Sequence, residues 1–258
     1  MTNDMTMKAK TIILALATAL LLPNNATAGN ALDDIEVKVR LGYNIGGTAP
    51  LGLPATIRSV DAYRLTPSFM VGMDVMLPMD DKWGLMTGLR FENKGMDGDV
   101  TTKNYYMEMV KGNNYLAGRY TGGVSQKVKE WMITLPVMGT LRLGQKVQLK
   151  AGPYVSVLLG KDFSGYVFDG YLRQNDPTGP KILMGHEENE RATYDFTDDL
   201  RTFQMGMEVG ADWQVHERIG VSADLNWGLT GIFKSDFKTI EQTLYPIYGT
   251  ISVYYKIK

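Results

Sequence analysis

Residues 129–160 read KEWMITLPVMGTLRLGQKVQLKAGPYVSVLLG. Trp131, Ile133, Leu135, Val137 and Leu141 alternate with Glu130, Thr134, Thr140 and Arg142. After Gly144-Gln145, Val147, Leu149, Ala151, Val155 and Val157 alternate with Gln148, Lys150, Gly152 and Ser156. A period of two is the period of a β-strand, whose successive side chains point to opposite faces. Two such runs around a tight turn predict an antiparallel hairpin with one apolar and one polar face.

The same reading extends in both directions. It predicts strands at about 35–45, 67–77 and 82–94 before this hairpin (129–143 and 146–160), and at about 202–215, 219–228 and 247–257 after it. The connections alternate in length. The segments 78–81, 144–145 and 216–218 are tight turns, whereas 46–66, 95–128, 161–201 and 229–246 are long. Short turns on one rim and long loops on the other are the pattern of an outer-membrane barrel, with the short turns periplasmic. The expected fold is all-β, an eight-stranded antiparallel up-and-down transmembrane β-barrel. An even strand count then puts both termini in the periplasm. Pro136 and Pro153 interrupt two strands, and a bulge or local break is expected at each, because proline removes a ladder donor.

Period two alone does not say which face looks inward. A soluble lipocalin-like barrel would turn its apolar face inside. Three features favour apolar-out. The apolar face carries aromatic residues near both strand ends: Trp83, Trp213 and Tyr255 towards the short turns, and Tyr43, Phe91, Trp131 and Trp227 towards the long loops. Aromatic girdles at two rims are what a membrane interface selects. The polar face carries charges of both signs, Glu36, Lys38, Arg40, Asp74, Arg90, Glu92, Lys150, Glu208, Asp212 and Asp224, which can pair inside a narrow barrel. Four long loops crowd one rim, where a lipocalin has one lid.

Composition narrows the function. The chain has no cysteine, so disulfides and thiolate metal sites are excluded. A net charge of −1 gives no footprint for nucleic acid. Residues 11–22, TIILALATALLL, follow Lys8 and Lys10 and precede Ala26 and Ala28. That is a signal-peptide pattern, too short for a spanning helix, with cleavage expected after Ala28. Residues 1–28 are thus read as a cleaved signal and 29–258 as the barrel domain.

The stretch 129–163, with Leu135-Pro136, Gly152-Pro153-Tyr154 and Leu158-Leu159, resembles the PorT-like outer-membrane β-barrel family of Bacteroidetes, a porin-family group. GMEVGADWQV, ADLNWGLTGI and the terminal TISVYYKIK resemble its last three strands. The resemblance implies a fold and an outer-membrane location. Its motifs are structural and imply no activity. The family name alone suggests a component of a secretion apparatus.

No catalytic set stands out, and neither an enzyme nor a cofactor is expected. His186 lies beside Glu187, Glu188 and Glu190, and His216 beside Glu217 and Arg218. Both read as solvated polar segments, and no metal site is assigned. The acidic pairs Asp80-Asp81 and Asp198-Asp199 read as ordinary turn charges. The expected partners are outer-membrane lipid and an extracellular ligand or protein meeting the tyrosine-rich segments 95–128 and 161–201, which equally read as self-packed caps or strand extensions above the membrane. The favoured function is a structural and interaction role with a lumen plugged by side chains. A narrow channel for small solutes is the alternative.

Overall fold

A computed structural model describes residues 35–174, 178–240 and 242–258. The expected signal peptide lies outside them. The described residues form eleven strands: β1 (Glu36–Pro50), β2 (Ile57–Arg64), β3 (Phe69–Pro78), β4 (Trp83–Lys111), β5 (Asn114–Leu143), β6 (Val147–Arg173), β7 (Lys181–Met184), β8 (Ala192–Asp195), β9 (Phe203–Gln214), β10 (Ile219–Gly228) and β11 (Leu244–Lys256).

Eight of them close a ring. The order is β1-β3-β4-β5-β6-β9-β10-β11, and β11 returns to β1 through pairs such as Val39–Tyr255 and Tyr43–Ile251. Every pairing is antiparallel. Closure removes the free edges that lipid could not satisfy. β2, β7 and β8 are additions above the ring, lying on the upper parts of β4 and β6.

The ring strands begin and end close to the sequence expectation on the short-turn side. Asp80 anchors one short turn by accepting the backbone amides of Lys82 (2.8 Å) and Trp83 (2.7 Å). Those two amides, Trp83 first, hold its carboxyl below the usual carboxylate range. Gly144 opens another turn with φ +68°, a conformation glycine adopts without a side-chain clash.

The long-loop side takes one of the two forms open to segments 95–128 and 161–201, a cap built on strand extensions. β4 and β5 continue as a hairpin to a turn at Gly112 (φ +61°), and β6 continues to Arg173. The strands go on because β2, β7 and β8 supply partners and an apolar core of their own covers one face.

At Pro136 the β4–β5 ladder lapses between Thr87–Val137 and Arg90–Thr134, then resumes in the same register. Pro153 stays paired with Met207 of β9. The prolines therefore cause a local break and no bulge. The β5–β6 register shifts instead between Trp131 and Met132, where Leu159 of β6 is the unpaired residue.

Side chains sort by parity. On β1, Leu41 and Ile45 are exposed on the outer wall, and Lys38, Arg40 and Asn44 are buried inside. Trp83 and Phe91 lie eight residues apart on the outer face of β4. At a rise of ~3.3 Å per residue and a tilt of ~40° that spans about 20 Å, near the ~25 Å apolar band of such barrels.

Candidate functional site

The interior has two compartments, and the ring strands build the lower one. All ten charged residues expected in the lumen face it. Arg40 of β1 is fully buried; it donates to Asp74 of β3 (2.8 Å), Asp224 of β10 (2.7 Å) and Ser252 of β11 (3.0 Å). Lys150 of β6 lies 2.6 Å from Asp212 and 2.8 Å from Asp224. Arg90 of β4 meets Glu208 of β9 at 2.8 Å, with its Nε 3.4 Å from Asp74. Lys38 reaches Asp212 at 3.1 Å and Gln148 at 3.0 Å. Glu36 sits at the lower mouth, half-buried, between Arg142 (3.0 Å) and Lys256 (3.1 Å). At the upper end Glu92 accepts from Thr134 (2.6 Å) and pairs with Lys94 (3.2 Å).

Buried charges persist only when paired and hydrogen-bonded. Some pairs join neighbouring strands, as Arg40–Asp74 and Lys150–Asp212 do, but Lys38–Asp212, Arg40–Asp224, Arg90–Glu208 and Lys150–Asp224 join strands that are not neighbours in the sheet, so the network also crosses the lumen.

Several lumen residues fell outside the expected set. Lys94 is buried beside Glu92 and lies 5.4 Å and 5.7 Å from the rings of Tyr154 and Tyr248. It continues the Arg90, Glu92 parity, but the strand was expected to end there. Glu130 is buried and accepts from Gln204 (2.8 Å). Met76, Met86 and Met138 fill the lower lumen as one apolar cluster. They stand opposite one another on β3, β4 and β5. Their signal was parity alone, because methionine is not a polar-face residue by type.

The seven expected girdle residues all stand on the outer wall. Trp83, Trp213 and Tyr255 lie towards the short turns, and Tyr43, Phe91 and Trp227 towards the other rim, all exposed. Trp131 is half-buried because Phe69 meets it edge-on and Phe91 stacks on it, each at 5.4 Å.

The upper compartment is a cap built from the extended strands and the segments between them. Phe163 is its centre, with Phe233 at 4.8 Å, Phe196 at 6.2 Å and Tyr194 at 6.4 Å between ring centroids. Met109, Tyr120, Val167 and Leu172 are buried around them. Tyr194 and Tyr120 satisfy their hydroxyls on the carbonyls of Ser125 (2.8 Å) and Phe168 (2.6 Å).

The outside of the cap is polar. Arg64 of β2 pairs with Asp97 and Asp99 of β4, which raises its pKa further, with Asp99 the larger cause. Cations cover outward tyrosines: Arg191 lies 4.4 Å from the ring of Tyr166, and Lys181 4.1 Å from Tyr171. Tyr115 donates to Glu108; burial first, then that carboxylate, push its pKa up to about 12.

His186 pairs with Asp169 at 2.9 Å, both exposed. Ser164 donates to Asp162 (2.8 Å), away from that pair. Among the described residues no group of three or more histidine, aspartate or glutamate side chains is placed to hold a metal ion.

Residues 25–234 match the family described as outer membrane protein beta-barrel domain. The chain belongs to that family. It is a small barrel of the bacterial outer membrane, with lipid around its apolar wall. Solved structures similar to this family member include Ail, the attachment invasion locus protein of Yersinia pestis, in complex with the heparin analogue sucrose octasulfate. It is 8% identical, with a TM-score of 0.36, over 86% of this chain and 97% of that one. Neisserial surface protein A is 9% identical with a TM-score of 0.37, over 86% and 97%. CarO of Acinetobacter baumannii is 11% identical with a TM-score of 0.38, over 85% and 97%. No curated protein matches the chain significantly.

Proposed function

We propose that this barrel is a plugged membrane anchor that works through its extracellular cap as a binding or shielding surface. One observation carries the reading. Arg40, Arg90 and Lys150 tie β1, β4 and β6 to carboxylates on β9 and β10 across the lumen, through Asp224, Glu208 and Asp224. A solute crossing the barrel would have to separate desolvated ion pairs, and the apolar cap closes the same axis above them. In eight-stranded barrels the interior is just wide enough for side chains to fill.

The short turns and both termini face the periplasm in this reading. The Gly152-Pro153-Tyr154 strand supports placement with the PorT-like porin-family barrels of Bacteroidetes, secreted through a signal peptide cleaved after Ala28.

Single-channel recording tests the plug. The full-length folded protein in a planar bilayer is expected to give no stable conductance steps. Stable open steps would make it a narrow channel for small solutes and overturn the plugged reading.

A further inference from the structure

The cap is not filled. A cavity of about 200 Å³ lies at its side, walled inside by Met107, Val124 and Phe163 and outside by Val60, Ala62 and Tyr63 of β2. Its lining is largely apolar. Apolar cavities of this kind stay dry, and one engineered at about 150 Å³ takes up benzene. The space is therefore large enough for a single ring or a short alkyl chain and offers it no charged partner.

The wall beside this cavity differs from the rest of the barrel. Below Tyr43, β1 is hydrogen-bonded to β3 on one side and β11 on the other. Above Tyr43 the Asn44 amide still donates to the Ser68 carbonyl (2.8 Å), and beyond it only the β11 ladder continues, to Pro50 and Leu244. β2 pairs with β4 alone. Among the described residues no ladder joins the upper part of β1 to β2. The Tyr63 hydroxyl donating to the Gly46 carbonyl (2.5 Å) and the Tyr43 hydroxyl donating to the Thr66 carbonyl (2.8 Å) are what bridge them. The seam opens onto the cavity, which Thr48 and Pro50 of β1 line from the other side.

Outside the seam the surface stays apolar above the girdle. Ile45, Leu51, Leu53 and Leu65 are all exposed there, between 43% and 64%. Ile45 follows Tyr43 on the same face of β1, so this strip continues the lipid-facing wall upward. Water-facing strips of exposed leucine and isoleucine mark interaction surfaces.

We propose that the seam admits a short, uncharged alkyl chain from the outer leaflet into the cap cavity. The occupant is a single-chain amphiphile that partitions into lipid, and its chain is what the site holds. The inference rests on the reading of the cap as the binding end, and it adds the class of ligand. It does not depend on whether the lumen conducts, so conductance and ligand uptake fail separately.

The test is photolabelling of the full-length protein in phospholipid nanodiscs with a diazirine-bearing octanol, the adducts being mapped by mass spectrometry. Adducts on Met96, Tyr105 or Met107 are expected to saturate with probe and to disappear under excess plain octanol. Ala62→Phe, which fills the cavity from β2, should cut them by about tenfold, a loss that corresponds to about 1.4 kcal/mol of binding. Ile45→Ser with Leu65→Ser removes half of the strip without touching the cavity wall, which of the four only Leu53 lines. It should slow labelling by probe delivered in the bilayer and leave its final level unchanged. Gel mobility before boiling reports whether each variant folds. If Ala62→Phe does not fold, saturation in the unaltered protein decides. Adducts confined to lipid-facing strands and rising linearly with probe would overturn the proposal, as would cavity adducts indifferent to Ala62→Phe in a folded protein.

Discussion

The lumen and the cap are built by the same strands and have opposite interiors. Along β5 the inward positions include Val124, half-buried Gln126 and Val128 above, then Glu130, Met132, Thr134, Met138 and Thr140 below. The first buried charge falls at 130, directly after Val128. The outer face switches at the same height, from Lys127 and Lys129 above to Trp131, Val137 and Leu141 below. What changes is the medium outside. Lipid gives no return for hiding apolar side chains, so below the girdle the apolar residues face out and polar pairs fill the narrow interior. Water does give that return, so above the girdle the apolar residues turn in. One β-sheet therefore carries two folding logics in series, and each compartment should fail in its own way.

The largest effect is expected in the lumen. Arg40→Ala leaves Asp74 and Asp224 buried without the cation that joins them. Breaking a buried pair from one side costs about 3–5 kcal/mol. The whole barrel should lose stability, because Arg40 links β1 to β3 and β10. Urea unfolding of the barrel in lipid, followed by gel mobility, measures it. A loss below about 1 kcal/mol would mean that the remaining cations, Arg90 beside Asp74 and Lys150 beside Asp224, are enough to hold the two carboxylates.

The cap should respond next, and separately. Leu172→Ala removes a fully buried side chain from the apolar cluster, a change that costs about 2–5 kcal/mol in a packed core. The loss should be confined to the cap. Limited proteolysis should cut within residues 161–201 faster, while the unboiled protein still migrates as a folded barrel. If Leu172→Ala lowered barrel stability as much as Arg40→Ala does, the two compartments would be one cooperative unit.

The two regions were also unequally legible in the sequence. Within the membrane each strand face meets a different medium, so alternation is strict. β10 was placed at 219–228 from alternation alone and stands there. The lumen set was legible wherever parity and charge coincided, as for Arg40, Asp74 and Asp224. It was missed where one of the two failed: Met76, Met86 and Met138 have inward parity without polarity, and Lys94 lies where the strand was expected to stop. Above the girdle, Tyr106 and Glu108 do alternate with Met107 and Met109, but the tyrosine-rich stretch fits a binding loop as well as a strand extension. β7 and β8 are four residues each and pair on the edge of β6 that β9 has left, β8 also meeting β4 at Val110–Thr193. Segments that short carry no period of their own, and tertiary context makes them strands. The seam beside β2 depends on the absence of a ladder, and no local pattern announces that.

The membrane boundary itself can be tested by the smallest of these changes. Val209 lies on the outer face of β9, between Phe203 and Trp213, and all three are exposed. In lipid, Val209→Arg places a cation near the middle of the band and should cost about 2–4 kcal/mol, whereas Phe203→Arg near the rim should cost about 0–1 kcal/mol. The depth dependence matters more than either value. A barrel surrounded by water would tolerate arginine equally at both positions, since neither side chain is buried by protein. Unfolding free energies in bilayers for the two variants therefore report where water ends along β9. If the two losses were equal, the switch between the interiors would need a cause other than lipid. A difference of about 2 kcal/mol or more would tie the inversion at residues 128–130 to the outer edge of the membrane.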